Sequence, residues 1–229
     1  MKNLFFVIPA VALALIFAGC SKKNNGPSTT ASVMLVNGCN GTTGIYAKVN
    51  NVNVGPSNIA YSGNSGYLTM NATTAQAINF YLVSPAGTPL TAGSPTFTTG
   101  DHYSVFVGGI VTGPDFVVAT DDLTAPSSGN AKVRFINLGS DNLNESFSIG
   151  AATLDSNIGY GQYTSYSEIA ATSGVGVLVQ DPAHPQSAYL AQLISQAFSA
   201  GKIYTIMLTG TYTAGSGGSG LKLTVIGNN

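Results

Sequence analysis

From residue 31 onward the chain alternates in twos. Val33, Leu35 and Asn37 interleave with Ser32, Met34 and Val36, and both sets are largely apolar, the pattern of a strand covered on both sides. Tyr103, Val105 and Val107 fall on one strand face, as do Tyr204, Ile206 and Leu208. Runs rich in Val, Ile, Thr, Phe and Tyr, bounded by Gly, Asn, Ser and Pro, return every 10 to 15 residues. In the first half they lie near 32–37, 45–49, 52–54, 66–71, 77–83, 102–107 and 115–119. About seven short strands per unit predict an all-β protein of immunoglobulin-like β-sandwiches.

The pattern also repeats. Ala31-Ser32-Val33-Met34-Leu35-Val36-Asn37 matches Ala131-Lys132-Val133-Arg134-Phe135-Ile136-Asn137, ending on the same Asn. Ile59-Ala60-Tyr61 and Gly66-Tyr67 return as Ile158-Gly159-Tyr160 and Ser165-Tyr166, and the run Ile78 to Val83 as Val175 to Gln180. Phe97, Gly100 and Tyr103 keep their spacing in Phe198, Gly201 and Tyr204. Four blocks in one order indicate a tandem duplication. The expected organisation is a signal peptide at 1–19, a tether at 20–30, one sandwich at 31–122, a linker at 123–130 and a second sandwich at 131–229. Each unit should fold alone, with a Pro/Ser/Gly link that transmits little packing.

Two local features need a decision. Leu190, Leu193, Ile194, Ala197 and Phe198 are spaced as a helical stripe. The matching stretch Thr88 to Pro95 holds prolines and a glycine that no helix accepts, so an extended segment is favoured. Gly100-x-x-Tyr103 at a strand entrance suggests a phenol bonded to upstream backbone, as in a tyrosine corner.

Ahead of the repeats, Lys2 precedes an uncharged apolar run from Leu4 to Ala18. Fifteen residues fall short of the roughly 20 a membrane span needs but suit a secretory leader. The run ends in Phe17-Ala18-Gly19-Cys20, which resembles the bacterial lipobox, with Phe17 where Leu is usual. That resemblance implies cleavage before Cys20, acylation of its thiol (the palmitate class of anchor) and attachment to the membrane. Residues 21–30 contain no apolar side chain except Pro27 and read as a solvated tether with Lys22 and Lys23 near lipid head groups. Ser21 is not the Asp associated with inner-membrane retention, and no acidic export run follows. The expected place is a bacterial envelope, at the outer membrane and facing the periplasm.

Only 7% of residues are charged and the net charge is −1. Nucleic-acid binding through a basic stripe is thereby excluded. Cys39 has no intramolecular partner once Cys20 is acylated, and reads as an inert thiol. Gly215 to Gly220 spells G-x-G-x-x-G but lies between strand patterns, so it reads as a hairpin loop. Ser199 to Lys202 spells S-x-x-K without the helix that motif needs. His102 and His184 are expected in solvated loops, and no catalytic residue, cofactor or zinc site is assigned. Asp121-Asp122 and Asp141 to Glu145 offer hard oxygens, but neither loop alone supplies a calcium shell.

The repeated blocks, with Val133-Arg134-Phe135-Ile136-Asn137 opening a unit and Gly201-Lys202-x-Tyr204-Thr205 followed by Gly210, resemble the bacterial DUF4397 domains. Copy one matches through Val33 to Asn37 and Gly100 to Gly108. The family's Pro-Asp-Ala-Pro after the first strand is replaced here by Asn37-Gly38-Cys39-Asn40 and Ser140-Asp141-Asn142-Leu143. The resemblance implies β-sandwiches in the envelope, often in tandem, and supplies no catalytic residues. Two functions then stand side by side. One is a non-catalytic envelope module that binds or spaces other molecules, an envelope protein among them. The other is a glycan-binding or adhesion lipoprotein with Tyr61, Tyr67, Tyr160, Tyr163 and Tyr166 as a stacking platform, although core packing would also account for those rings.

Overall fold

The computed structural model describes residues 29–140, 144–183, 190–212 and 220–229. The leader, Cys20 and most of the tether fall outside them, as do Asp141 to Leu143, His184 and residues 215–219 of the glycine-serine run. Every regular element among the described residues is a strand. The first half contains β1 (Thr30–Asn37), β2 (Gly44–Val49), β3 (Val52–Ala60), β4 (Asn64–Asn71), β5 (Ile78–Leu82), β6 (Pro89–Gly93), β7 (His102–Ile110) and β8 (Gly113–Asp121). The second contains β9 (Asn130–Gly139), β10 (Glu145–Ile149), β11 (Ala152–Ile158), β12 (Ser167–Ala170), β13 (Thr172–Gln180), β14 (Ala191–Phe198), β15 (Ile203–Gly210) and β16 (Lys222–Gly227).

Each half is a sandwich of two four-stranded sheets. In the first, β4-β1-β7-β8 faces β3-β2-β5-β6; in the second, β12-β9-β15-β16 faces β11-β10-β13-β14. The cores between the faces are separate. Val33, Leu35, Ile45, Ala47, Phe80, Phe97 and Val105 pack in one, and Val133, Phe135, Phe147, Val179, Phe198 and Ile206 in the other.

A third apolar layer lies between the halves. Met34, Val36, Phe106 and Ala119 meet Ile136, Leu138, Met207 and Ile226. The sheets containing β1 and β9 are therefore inner sheets, buried on both sides, and the molecule is four sheets deep. That burial explains the runs with no polar face, and the central pairs β1–β7 and β9–β15 are parallel, as doubly covered strands commonly are. The link is consequently not the only thing joining the halves, contrary to the expectation of little packing across it.

The repeated residues have structural duties. Asn37 and Asn137 are fully buried, and each Nδ2 donates to the carbonyl of Ile59 or Ile158 at 3.0 Å. Their Oδ1 atoms accept the backbone N–H of Cys39 and Gly139, tying the end of a central strand to the neighbouring sheet. The Tyr103 and Tyr204 hydroxyls accept the N–H of Thr98 and Ser199, both at 3.1 Å, as the corner reading anticipates. Gly100 and Gly201, in the turns just before them, adopt positive φ of 86° and 77°, where a Cβ would be strained.

At two local points the structure departs from the sequence reading, and at a third it agrees. An eighth strand, β6, is present in the first half; Pro89 and Gly93 conceal it, and its position at a sheet edge is what tolerates the proline. Gly93 is required there, because a Cβ would sit 2.5 Å from the Phe116 ring. His102 is not a loop residue: it begins β7, half-buried, with its ring edge-on to Tyr67 at 5.5 Å. The segment after Leu190 is extended, as favoured, and its helical spacing has no packing counterpart, since Ile194 is 86% exposed.

Candidate functional site

Two places concentrate chemistry-bearing side chains. One is the junction between the inner sheets, centred on Arg134 of β9. Its side chain is 1% exposed, and its Nη2 donates to Asp121 Oδ1 at 2.5 Å. Nη1 donates to the Thr120 carbonyl and Nε to Thr205 Oγ1, each at 2.9 Å. The guanidinium lies 4.8 Å from the Tyr166 ring centroid and 5.9 Å from those of Phe106 and Tyr163. Asp121, at the end of β8, also accepts from Ser104 Oγ at 2.8 Å and from the Tyr67 hydroxyl at 2.5 Å. A buried charge pair is tolerable only when its remaining valences are satisfied, and this one is.

The five tyrosines of the sequence reading gather around this junction. Tyr67 bonds Asp121 in its own half and accepts from Asn228 Nδ2 of the other. Tyr61 donates to Thr209 Oγ1 across the junction at 2.9 Å, with Lys222 Nζ 5.8 Å over its ring. Tyr160 reaches from the second half toward Gly109, where a Cβ would lie 2.4 Å from its hydroxyl, and it bonds Asp115. Burial pushes the Tyr67, Tyr160 and Tyr166 phenols above their ordinary range, Tyr166 to about 12. Tyr163, at 42% exposure, is the most open of the five.

The other place is a cleft of about 420 Å³ on the outward face of β2, walled by β3. Along β2, Ile45, Ala47 and Val49 point into the core while Tyr46 and Lys48 point out; along β5, Ile78, Phe80 and Leu82 point in while Asn79 and Tyr81 point out. Tyr46 pairs directly with Tyr81, and their rings stack at 5.3 Å with an 18° interplanar angle. Lys48 Nζ stands 5.1 Å from the Tyr81 centroid. Asn53, Val54, Gly55, Pro56 and Ser57 of β3, with Val83 and Ala86, complete the lining. Sequence reasoning missed both centres. The signals were an Arg where the first copy has Met34, and aromatic residues at outward positions where the second copy has none.

The remaining reactive groups are subdued. Burial raises the Cys39 thiol to about 11, so it stays protonated at neutral pH. The Asp122 carboxyl is held down at about 2, first by the hydrogen bond from Lys132 and then by Thr124. Hydrogen bonds from Asn130 and Ser127 lower Glu168. No group of three or more metal-ligating side chains occurs among the described residues.

Fold and site together define a duplicated β-sandwich protein whose buried polar groups serve an internal junction. A family profile described as "Domain of unknown function (DUF4397)" matches residues 31–144, and the chain carries a DUF4397 domain there. Among solved structures, the chain is similar to the family 26 carbohydrate-binding module of Eubacterium rectale Amy13K in complex with maltoheptaose. That match has 9% identity and a TM-score of 0.25, covering 86% of this chain and 96% of the other. It is also similar to a candidate cell adhesion protein from Bacteroides uniformis, at 11% identity and TM-score 0.28, covering 88% and 100%. At such scores neither likeness bears on function. No curated protein matches the chain.

Proposed function

We propose that the protein is a lipid-anchored, non-catalytic module of a bacterial cell envelope, held at the outer membrane and facing the periplasm, that presents binding surfaces on a rigid double sandwich. The observation that supports this most is the junction. Arg134, Asp121, Tyr67 and Asn228, with a continuous apolar layer, are committed to holding one half against the other. Such groups fix a shape and leave the two outer sheets free to meet other molecules. The apolar run ending in Ala18-Gly19-Cys20 supplies the anchor.

A protease site inserted after Ser128 tests the rigid body. After cleavage the halves should co-elute in gel filtration; separation at micromolar concentration would overturn the scaffold. The anchor is tested by Cys20→Ser, which should move the folded protein from membrane to soluble fractions. Unchanged partitioning, with an unmodified Cys20 by mass spectrometry, would overturn it. Glycan binding is kept as a second reading because of the Tyr46–Tyr81 stack beside a cleft.

A further inference from the structure

We propose that the outer cleft of the first half binds an acidic saccharide, with Tyr46 as the stacking surface and Lys48 as the partner of the sugar carboxylate or sulfate. This deepens the binding role proposed above and rests on it.

The duplication supplies an internal control. Opposite Tyr46 and Tyr81, the second half pairs Ser146 with Gln180; opposite Lys48 and Asn79, it pairs Ser148 with Leu178. Beneath them the inward residues keep their character, Ala47, Val49, Ile78 and Phe80 answering to Phe147, Ile149, Val177 and Val179, so β5 and β13 correspond two residues further along than the sequence repeat indicated. The second half builds the same strand order, outer sheet included, without an aromatic pair. Cross-strand aromatic pairs do stabilise sheets by roughly 0.2–1 kcal/mol, but this architecture does not need one here.

The wall differs at the same point. Ile45 pairs with Ile59 and Ala47 with Val54, so residues 55–58 arch out opposite the single residue Tyr46. In the second half Glu145 pairs with Ile158 and Phe147 with Asp155, leaving only Ser156 and Asn157 opposite Ser146. The longer arch contains Gly55, at a φ of 66°, followed by Pro56. Two extra wall residues thus coincide with the aromatic pair and make the cleft.

The chemistry of the lining selects the ligand class. A ring face beside Asn53 and Ser57 suits a molecule with one apolar face and a hydroxylated edge, which describes a pyranose. Among the described residues no carboxylate lines the cleft, and the ion pairs are Lys132–Asp122 and Arg134–Asp121. Lys48 therefore offers an uncompensated positive charge next to the platform, which favours an anionic sugar over a neutral one.

Titration calorimetry on the full chain, in a detergent without a sugar head group, decides this. The probes are oligogalacturonate, hyaluronan and heparin fragments, with maltoheptaose and poly-glutamate as neutral-sugar and non-sugar controls. At least one acidic sugar should bind, more tightly than either control and with affinity falling as salt rises. Tyr46→Ala should weaken it about tenfold and Lys48→Gln about fivefold, whereas Tyr46→Phe and Ser146→Ala should leave it unchanged. Binding of none of the three acidic sugars would overturn the site. So would equal binding of either control, or full affinity in Tyr46→Ala with a wild-type circular dichroism spectrum. In each of those cases, co-elution of the cleaved halves would leave the scaffold reading in place.

Discussion

The two inner sheets present the same patch to each other. Val36 and Ile136, Phe106 and Met207, and Ala119 and Ile226 occupy matching strand positions, and all six pack in the shared layer. Ser104 bonds Asp121 at 2.8 Å, and at the equivalent place Thr205 bonds Asn228 at 2.8 Å. Tyr67 stands on the edge strand β4, and Tyr166 immediately precedes the matching edge strand β12. The match fails at two positions only within this polar centre: Met34 faces Arg134, and Asp121 faces Asn228. The halves meet as two copies of a symmetric dimer would, except that the first contributes the anion and the second the cation. Likeness supplies most of the fit, Leu138 packing on the smaller Gly38 that answers to it, and the two polar differences supply the charge pair.

The largest expected effect tests whether that fit makes one cooperative unit. Phe97→Ala and Phe198→Ala each empty a separate core, at about 3–5 kcal/mol. With the shared layer intact, calorimetry should show one transition, lowered by either substitution. Two resolved transitions, each moved by its own variant, would return the halves to independence.

Next comes the charge pair itself. Arg134→Met leaves a buried carboxylate alone and should destabilise by about 3–5 kcal/mol; Asp121→Asn should do nearly as much. The double variant carries at each position the residue of the sister half and should recover most of the loss, as read by urea denaturation. Additive losses would show that the pair is not coupled.

A smaller effect is expected at high pH. The Tyr166 phenol titrates near 12 in the folded protein and near 10 when unfolded. The folded state therefore keeps a proton that the unfolded state loses, and stability should fall as pH rises from about 10 to about 12. Tyr166→Phe should flatten part of that slope in alkaline melts. Least of all is Asp122, whose carboxyl sits at about 2 against an unfolded value near 4. Its contribution is present above pH 4 and lost as pH falls toward 2; being exposed, it should also shrink with salt. Lys132→Met should reduce that acid dependence, leaving the part supplied by the Thr124 hydrogen bonds.

How much of this was legible depended on where each partner lay. The central strands, the duplication and the Tyr103 and Tyr204 corners followed from local pattern, because alternation and spacing report directly on strand faces. Both-sided apolarity in Val33 to Val36 correctly indicated a doubly covered strand. What covers the second side, however, is a sheet about a hundred residues away in sequence, and alternation carries no information about partners. Arg134 was visible only as part of a family signature for the same reason. Tyr61, Tyr67, Tyr160 and Tyr166 looked like an aromatic set, and their positions relative to the junction come from packing between halves. Tyr46 and Tyr81 were passed over although they sit on recognised strands. Comparing outward positions between the copies, and not only the inward ones that keep the repeat alike, would have found them.

The Arg134–Asp121 pair has a bearing on how the chain assembles. Tandem copies this similar are prone to joining wrongly, within a chain or between neighbouring chains. Were two first halves to meet through their inner sheets, each would bury Asp121 against a methionine; two second halves would bury two arginines with no carboxylate between them. Only a first half with a second half closes without a stranded charge. The pair thus works as a parity check on assembly, and it acts beside a steric one, since Leu138 of the second half packs where Gly38 and Gly108 of the first leave room and a Cβ would lie 2.9 and 2.8 Å away.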